Sequence, residues 1–340
     1  MKEKHIGELS NGCKQCFRGE KSVLFITGKC PRSCPYCPIS EEKKNSDLIY
    51  INELKSREIK KIIEEVRESG SRGVGITGGD PLAVIIRTVK FIKELKKVFG
   101  EKFHIHLYTS LNLIDEDKIL KLQKAGLDEL RVHPDIYNKK LWSRLNLIKD
   151  KFGDVGIEIP IFPGVEKKVL DLIDYAKDKV NFFNLNELEY ATLYEDYYKK
   201  MGWKVMEGYE VKGSEESALR ILKKLKRSGL RIHYCSGEFK DDIQFVNRIK
   251  LRAKNVALKT DKISEDGMLV RGVLKGKNLL KLKKELEKKF GSEFFIDKKK
   301  ERIIFDVNFA RKVSLEFEDC YVVEEYPTVD GLEVEVEKLS

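Results

Sequence analysis

The sequence has no long apolar run and few cysteines. No hydrophobic stretch approaches the ~18 residues needed to cross a bilayer, and the opening MKEKHIGELSNG lacks the apolar region of a signal peptide. Seven cysteines in 340 residues are too few for a disulfide-stapled miniprotein. These absences predict a soluble cytoplasmic protein with no membrane partner. In such a protein, cysteines are expected to be metal ligands or catalytic thiols rather than disulfides.

Charged residues, by contrast, are abundant, at 36% of the chain, and the net charge is +10. A positive balance favours a polyanionic partner such as RNA. The same richness in Lys and Glu, with only four Met, is also typical of hyperthermophile surfaces, which need no ligand. Charge therefore suggests nucleic-acid binding without establishing it.

Short β-branched runs alternate with helical patterns through the first two-thirds of the chain. Seven strands are predicted, at 22–27, 72–79, 103–110, 127–134, 155–164, 182–190 and 230–235. Helices are predicted between them, at 56–69, 82–100, 115–126, around Trp142, at 166–179 and at 214–229 with Ser214 as N-cap. The alternation predicts an α/β fold, a partial or nearly closed (β/α) TIM-like barrel with its chemistry at the C-terminal strand ends.

The pattern changes near residue 250, which predicts a second domain. We divide the chain into an N-terminal loop (1–21), the barrel (22–249) and a small α+β domain (250–340). The last is predicted to contain strands at 255–260, 268–276, 320–327 and 332–339, a hairpin at 293–307 and a basic helix at 277–290. The helix and the lysines at 298–300 are candidate contacts to a phosphate backbone, so this domain could bind substrate or RNA.

Three cysteines crowd the segment GKCPRSCPYCPIS (28–40), directly after the first predicted strand. Cys30, Cys34 and Cys37 have the spacing C-x3-C-x2-C. A structural zinc site normally takes four protein ligands, and no second pair follows closely. An iron–sulfur cubane takes one thiolate per iron, so three cysteines leave one iron open. A zinc loop or buried thiols are the alternatives.

This loop resembles the signature of the radical S-adenosylmethionine (SAM) superfamily, in the group related to pyruvate formate-lyase activating enzymes. The resemblance covers about residues 20–235 and includes an aromatic residue, Tyr36, before the last cysteine. It implies a [4Fe–4S] cluster on Cys30, Cys34 and Cys37, with SAM on the unique iron and Tyr36 against the adenine. One electron, from an external donor of ferredoxin or flavodoxin type, would cleave SAM to methionine and a 5′-deoxyadenosyl radical that abstracts hydrogen.

A second motif, GITGGDPL (75–82), resembles the family's GGE motif, which holds the amino group of SAM. Glycines allow close backbone approach, and a carboxylate accepts a bond from an ammonium. Asp80 replaces the usual Glu after Gly78 and Gly79. The resemblance also implies contacts to the ribose and carboxylate of SAM from later strand ends, with candidates Thr109, Ser110, Arg131, His133 and Glu158.

The sixth predicted strand ends in an unusually polar run, NLNELEY (184–190). Buried polar groups need partners, so the run is either exposed or lines a polar substrate pocket. On the second interpretation, Asn186, Glu187 and Glu189 are the candidate catalytic residues.

The remaining cysteines form a second pattern. Cys13 and Cys16 are a C-x2-C pair before the first strand, and Cys235 ends the seventh. An N-terminal loop across the barrel mouth would bring them together as the ligands of an auxiliary iron–sulfur cluster, a second [4Fe–4S] centre. Zinc with His233 or His5 as fourth ligand, and ordinary buried thiols, are the alternatives. Cys320 is interpreted as a core thiol.

Three substrate classes remain open for a radical SAM enzyme. Because of the basic charge, the favoured substrate is an RNA, specifically a tRNA nucleoside. Modification or glycyl-radical activation of a protein or peptide, and small-molecule cofactor biosynthesis, are the alternatives. A non-enzymatic metal-binding module would leave the GGD motif unexplained. The sequence carries no information on the oligomeric state.

Overall fold

A computed structural model describes residues 4–340, which divide into two compact units. The first unit extends to Gln244, apart from residues 67–70. The second contains those four residues and Phe245–Ser340.

A ten-stranded sheet forms the first unit. Its strands are β1 Lys4–Ile6, β2 Lys21–Phe25, β3 Tyr50–Ile51, β4 Leu54–Lys55, β5 Gly73–Thr77, β6 His104–Ser110, β7 Glu129–His133, β8 Asp154–Ile161, β9 Phe182–Glu187 and β10 Ile232–Cys235. Their order is β1-β10-β9-β8-β7-β6-β5-β2-β3-β4. The seven strands from β2 to β10 in this order are parallel, and β1 and the β3–β4 hairpin are antiparallel additions at the two edges. The predicted α/β fold with a central parallel sheet is confirmed.

Helices connect the parallel strands, as right-handed crossovers require. They are α2 Ile59–Glu68, α3 Ile85–Phe99, α4 Glu116–Ala125, α5 Glu166–Ala176, α6 Glu195–Lys200 and α7 Ser214–Leu225, followed after β10 by α8 Gly237–Phe239. The strand interiors, such as Leu130 and Val132 of β7, are fully buried. Burial on both faces explains why these strands are continuous apolar runs.

The helix predicted around Trp142 is present as a 3₁₀ helix, Lys139–Leu147. Three other local predictions for secondary structure were wrong. Residues 11–17 form a helix, α1 Asn11–Phe17, rather than a loop. Gly213 rather than Ser214 caps α7, because the Ser214 hydroxyl donates to Ile161 O and accepts from Leu188 N. Residues 255–260 are not a strand, since α9 Val246–Val256 extends into them.

The second unit is an antiparallel sheet with helices. Its strands are β11 Lys262–Ile263, β12 Leu269–Lys275, β13 Phe295–Asp297, β14 Arg302–Phe305, β15 Cys320–Glu325 and β16 Glu333–Lys338, in the order β13-β14-β12-β15-β16 with β11 also on β12. The remaining helices are α10 Leu279–Phe290 and α11 Ala310–Ser314. Phe294, Phe305 and Cys320 belong to its apolar core.

A buried ion network joins five strands of this second unit, β12 to β16. The Arg302 guanidinium is 1% exposed and donates to Asp297, Glu325 and Glu333 at 2.7–2.9 Å. Glu325 also accepts from Lys300 and from Arg271. Every charge in the network therefore has an opposite charge within hydrogen-bond distance.

Candidate functional site

A cavity of about 340 Å³ lies at the C-terminal ends of the parallel strands. It brings together fourteen of the predicted site residues: Cys30, Cys34, Tyr36, Cys37, Gly78, Gly79, Thr109, Ser110, Arg131, His133, Glu158, Asn186, Glu187 and Glu189. Asp80, Cys13, Cys16 and Cys235 are not part of its wall. Residues more than 150 positions apart in sequence thus meet at one strand edge.

The cysteine loop leaves β2 and forms one wall of the cavity. Cys30, Cys34 and Cys37 are each partly exposed and are free thiols. Burial raises the pKa of Cys30, the hydrogen bond from Arg32 N lowers it, and the charges of Asp80, Cys34 and Cys37 raise it. The loop is held at its base, where Gly28 N donates to Ser46 O at 2.9 Å.

Tyr36 and Arg32 attach this loop to the end of β7. The Tyr36 hydroxyl lies 3.1 Å from His133 Nε2, and the Arg32 guanidinium donates to His133 O at 2.9 Å. Burial, followed by the Arg32 charge, lowers the pKa of His133 to about 3, so its ring is neutral at pH 7. The Tyr36 ring packs edge-on against Phe162, with centroids 4.9 Å apart. The aromatic face is therefore fixed beside the cysteines.

The GGD motif brings the backbone after β5 against the cysteine loop. Gly78 has φ +143°, which other residues rarely adopt, and a Cβ at Gly79 would lie 2.4 Å from Lys29 O. Only glycine permits so close an approach. Asp80 is buried below this turn rather than facing the cavity. It accepts bonds from the hydroxyls of Thr109 and Ser110 at 2.7 Å, and from backbone amides.

Asp80 therefore joins β5 to β6 in this structure. Burial raises the pKa of Asp80, even though its four hydrogen bonds act in the opposite direction. The carboxylate orients Thr109 and Ser110, which do line the cavity. Its predicted contact with the amino group of SAM stays a prediction.

Arg131 and Glu158 form a charged pair on the cavity floor. Arg131 Nη1 lies 2.7 Å from Glu158 Oε2, and the second Glu158 oxygen accepts from Asn186 at 3.0 Å. Burial alone would raise the pKa of Glu158, but Arg131 and the amides of Asn184 and Asn186 hold it below its usual value. Both groups are thus ionised at neutral pH, and a polar ligand would meet a fixed pair of opposite charges.

The polar end of β9 forms the opposite wall. Asn186 belongs to the floor network, whereas Glu187 accepts from Gly237 N at 2.9 Å and Glu189 pairs with Lys240 at 2.5 Å. Burial raises the pKa of Glu187. These contacts favour the pocket interpretation of the NLNELEY run over the exposed-end interpretation.

Several other residues line the cavity that were not predicted as site residues, among them Lys44, Tyr194 and Lys240. Lys44 donates to the Tyr194 hydroxyl at 2.7 Å. Lys240 follows β10 and Tyr194 follows β9, so their position just after parallel strands was the available signal.

The second cysteine set lies deeper than predicted. Cys13 and Cys16 are on α1, one helical turn apart, and Phe17 stacks on Phe239 just after Cys235. Burial raises the pKa of Cys235 to about 12. Cys235 ends β10, which pairs with β9, and the Cys13 sulfur accepts from Asn184 of β9 at 3.2 Å. However, α1 contacts β2, β5 and β6 and does not cross the mouth as a loop.

Among residues 4–340, no three His, Cys, Asp or Glu side chains already stand in an arrangement that holds a metal ion. The donor set of the loop nevertheless fits an iron–sulfur cluster: three free thiols on one loop, without a fourth. The cavity beside them presents backbone, aromatic and charged groups suited to a zwitterionic nucleoside. The residues therefore fit both groups.

The chain belongs to the radical SAM superfamily and is a radical SAM enzyme. The Radical SAM superfamily model matches residues 24–185, which span β2 to β9. A second match, to a domain of unknown function, covers residues 267–339. Family membership implies a [4Fe–4S] cluster and SAM, as predicted.

Two curated relatives refine this assignment. A protein of Methanocaldococcus jannaschii, provisionally named a glycyl-radical enzyme activating enzyme, is 42% identical over 98% of this chain and 93% of its own length. PqqA peptide cyclase of Gluconobacter oxydans is 32% identical over 32% of this chain and 28% of its own. Among solved structures, methylornithine synthase aligns over 69% of this chain and 80% of its own with 15% identity and a TM-score of 0.43.

A helix must be both long and apolar to cross a bilayer. Within residues 4–340, no helix combines the length and the apolar composition that a membrane span needs.

Proposed function

We propose that this enzyme cleaves SAM reductively and takes a hydrogen atom from a glycine of a partner protein. The cavity carries this proposal, because it joins the cysteine loop, the GGD turn and the polar end of β9 in one space. The names of the two relatives, an activating enzyme and a peptide cyclase, support a polypeptide substrate. An external one-electron donor of ferredoxin or flavodoxin type would supply the electron.

In this proposal, Cys30, Cys34 and Cys37 hold the cluster. When bound, the cluster and SAM supply one-electron cleavage of a carbon–sulfur bond, which gives methionine and a 5′-deoxyadenosyl radical. Tyr36 would pack against the adenine, and the Gly78–Gly79 backbone would contact the methionine part. These residues bind and orient; none of them transfers a proton.

The remaining residues of the cavity divide into two groups. Thr109, Ser110, Arg131, His133 and Glu158 would contact the ribose and the carboxylate of SAM. Asn186, Glu187 and Glu189 face the substrate. Their amide and carboxyl oxygens accept bonds from the N–H groups of an extended peptide, which carries donors at every residue except proline.

A labelling experiment tests the substrate class. Cells that produce this protein are grown with α-deuterated glycine, and their protein, RNA and small-molecule fractions are incubated separately with cluster-loaded enzyme, SAM and dithionite. We expect deuterium in 5′-deoxyadenosine with the protein fraction only, and loss of the label after protease treatment. Labelling or stimulation by the RNA or small-molecule fraction, with none from protein, would contradict the proposal.

The RNA substrate remains the alternative that the net charge of +10 supports. Part of the basic surface that suggested it is engaged within the second unit. Lys300 contacts Glu325, Glu333 and Gly331 O, and Lys299 donates to Val329 O. Lys283 and Lys289 of α10 pair with Glu287 and Glu316. These contacts leave fewer free cations for a phosphate backbone, so a polypeptide substrate is preferred.

A second metal centre on Cys13, Cys16 and Cys235 is proposed alongside, as iron–sulfur rather than zinc. Its support is the C-x2-C pair on α1, the contact of Cys13 with Asn184 of β9, and the position of Cys235 at the end of the neighbouring strand β10. Reconstituted protein should contain about eight iron per chain, and a Cys16→Ala/Cys235→Ala variant about four. About four iron plus one zinc in the unaltered protein would favour the zinc alternative, and four iron with no other metal would rule out the second centre.

A further inference from the structure

Helix α1 lies against the inner face of the sheet, beneath the cavity. A Cβ at Gly12 would lie 2.5 Å from Arg131 Nη2, 2.8 Å from Glu129 Oε1 and 2.8 Å from His106 Nδ1. Only a glycine lets the helix backbone come so near to these strand side chains. Glycine is otherwise unfavourable inside a helix, so the close contact between the helix backbone and these side chains explains why position 12 is a glycine.

The start of α1 is bonded to the ion pair at the base of β7. Gly12 N donates to Glu129 Oε2 at 2.9 Å, and the Ser10 hydroxyl donates to the other oxygen of the same carboxylate at 3.2 Å. Glu129 is fully buried and accepts from Arg131 Nε at 2.6 Å. A charged, buried carboxylate is tolerated only with such partners.

The Arg131 guanidinium connects this helix to the cavity. Its Nη2 donates to Ser10 Oγ at 3.2 Å and to Cys13 Sγ at 3.4 Å, both on the side of α1. Its Nη1 donates to Glu158 at 2.7 Å and to the Tyr108 hydroxyl at 3.2 Å, both on the cavity side. Because the guanidinium is a rigid planar fork, partners on one edge fix the direction of the other.

Asn184 provides a second connection. Its Nδ2 lies 3.2 Å from Cys13 Sγ and 2.9 Å from Glu158 Oε2. The Cys13 sulfur therefore accepts from two groups, Arg131 and Asn184, that both bind Glu158.

We propose that the N-terminal segment Ser10–Cys13 is an internal brace that positions Arg131 and Glu158 on the cavity floor. Ser10, Gly12 and Cys13 are positioning residues: they do not line the cavity, and they act through the two side chains that do. The inference rests on the proposed function in assigning Arg131 and Glu158 to SAM. It gives α1 a role that does not depend on a second metal centre.

The test measures the affinity of the cluster-loaded protein for SAM in Ser10→Ala and Cys13→Ala variants. Each removes one acceptor of a charge-assisted bond to Arg131, so we expect the dissociation constant to rise roughly three- to tenfold. Cys13→Ser, which restores an acceptor, should recover part of the loss. Cys320→Ala, a buried thiol in the second unit, is the matched control and should leave SAM affinity unchanged.

A double-mutant cycle with Arg131→Ala distinguishes positioning from general destabilisation. In the Arg131→Ala background, Cys13→Ala should lower SAM affinity less than it does in the unaltered protein, because only the connection through Asn184 to Glu158 remains. Its effect on the unfolding temperature should persist. Equal effects of Cys13→Ala in both backgrounds would overturn the brace. If Cys16→Ala lowers SAM affinity as much as Cys13→Ala does, the brace is also overturned, because the effect would then come from a metal that both cysteines bind. If Arg131→Ala itself leaves SAM binding intact, the site assignment of the proposed function fails instead.

Discussion

A Cys30→Ala/Cys34→Ala/Cys37→Ala variant is expected to bind no loop cluster and to form no detectable 5′-deoxyadenosine. The variant removes every cysteine of the loop after β2. An iron–sulfur cubane needs one thiolate for each protein-bound iron, so no ligand for the cluster remains on the loop. Without the cluster no electron reaches SAM. Iron analysis after anaerobic reconstitution and chromatographic assay of 5′-deoxyadenosine measure the two losses.

The matched control is Cys320→Ala, which removes a thiol from the core of the second unit. That variant should keep its iron and its SAM cleavage. Undiminished 5′-deoxyadenosine from the triple variant would show that these cysteines do not hold the catalytic cluster. An iron content reduced by about four per chain, with the remaining iron intact, is the result that two separate centres require.

The second large effect concerns stability. An Arg302→Met variant is expected to lose about 3–5 kcal/mol of unfolding free energy, because removing one partner from a buried ion pair leaves the opposite charge uncompensated. Arg302 is 1% exposed, and it binds Asp297, Glu325 and Glu333 simultaneously. Chemical denaturation followed by a probe in the second unit measures the change.

Lys338→Met provides the comparison. Lys338 pairs with Asp319 at 3.7 Å, and both side chains are more than half exposed. Removal of an exposed pair should change the unfolding free energy by about 0.5 kcal/mol or less. If Arg302→Met and Lys338→Met destabilise equally, the buried network contributes no more than a surface ion pair.

The same network sets a direction for pH dependence. Burial would raise the pKa of Glu325, but Arg302, Lys300 and Arg271 hold it below its usual value of 4.5. A carboxyl with a lowered folded-state pKa stabilises above its unfolded pKa, and that contribution is lost as pH falls through the folded value. The second unit should therefore lose stability on acidification below about pH 4.5, and Arg302→Met should be less sensitive to this change.

The strand ends were predictable because burial on both faces produces apolar runs with abrupt polar limits. Cys30, Gly79, Ser110 and Asn186 each follow or end such a run, and all four line the cavity. The sequence pattern could not predict that Asp80 points inward to Thr109 and Ser110, since a turn of this kind allows either direction. Only the packing of β5 on β6 determines it.

Helix α1 was predicted as a loop for a different reason. Its sequence, NGCKQCF, contains a glycine and no helical apolar repeat, so local preferences favour a loop. The helix is stabilised by Glu129 and Arg131, more than a hundred positions away. The same applies to Gly213, which displaces Ser214 as N-cap because the serine hydroxyl bonds to Ile161 and Leu188.

Strand β1 has a consequence for the order of folding. It pairs with β10, with Lys4 opposite Tyr234 and Ile6 opposite Ile232. Strand β1 therefore pairs only after residues more than 220 positions later have been synthesised. During synthesis, the first strand and the helix behind it emerge from the ribosome long before their partners on β7, β9 and β10. Because contacts so distant in sequence form late and slowly, the interior beneath the cavity is completed only after the whole sheet has been made.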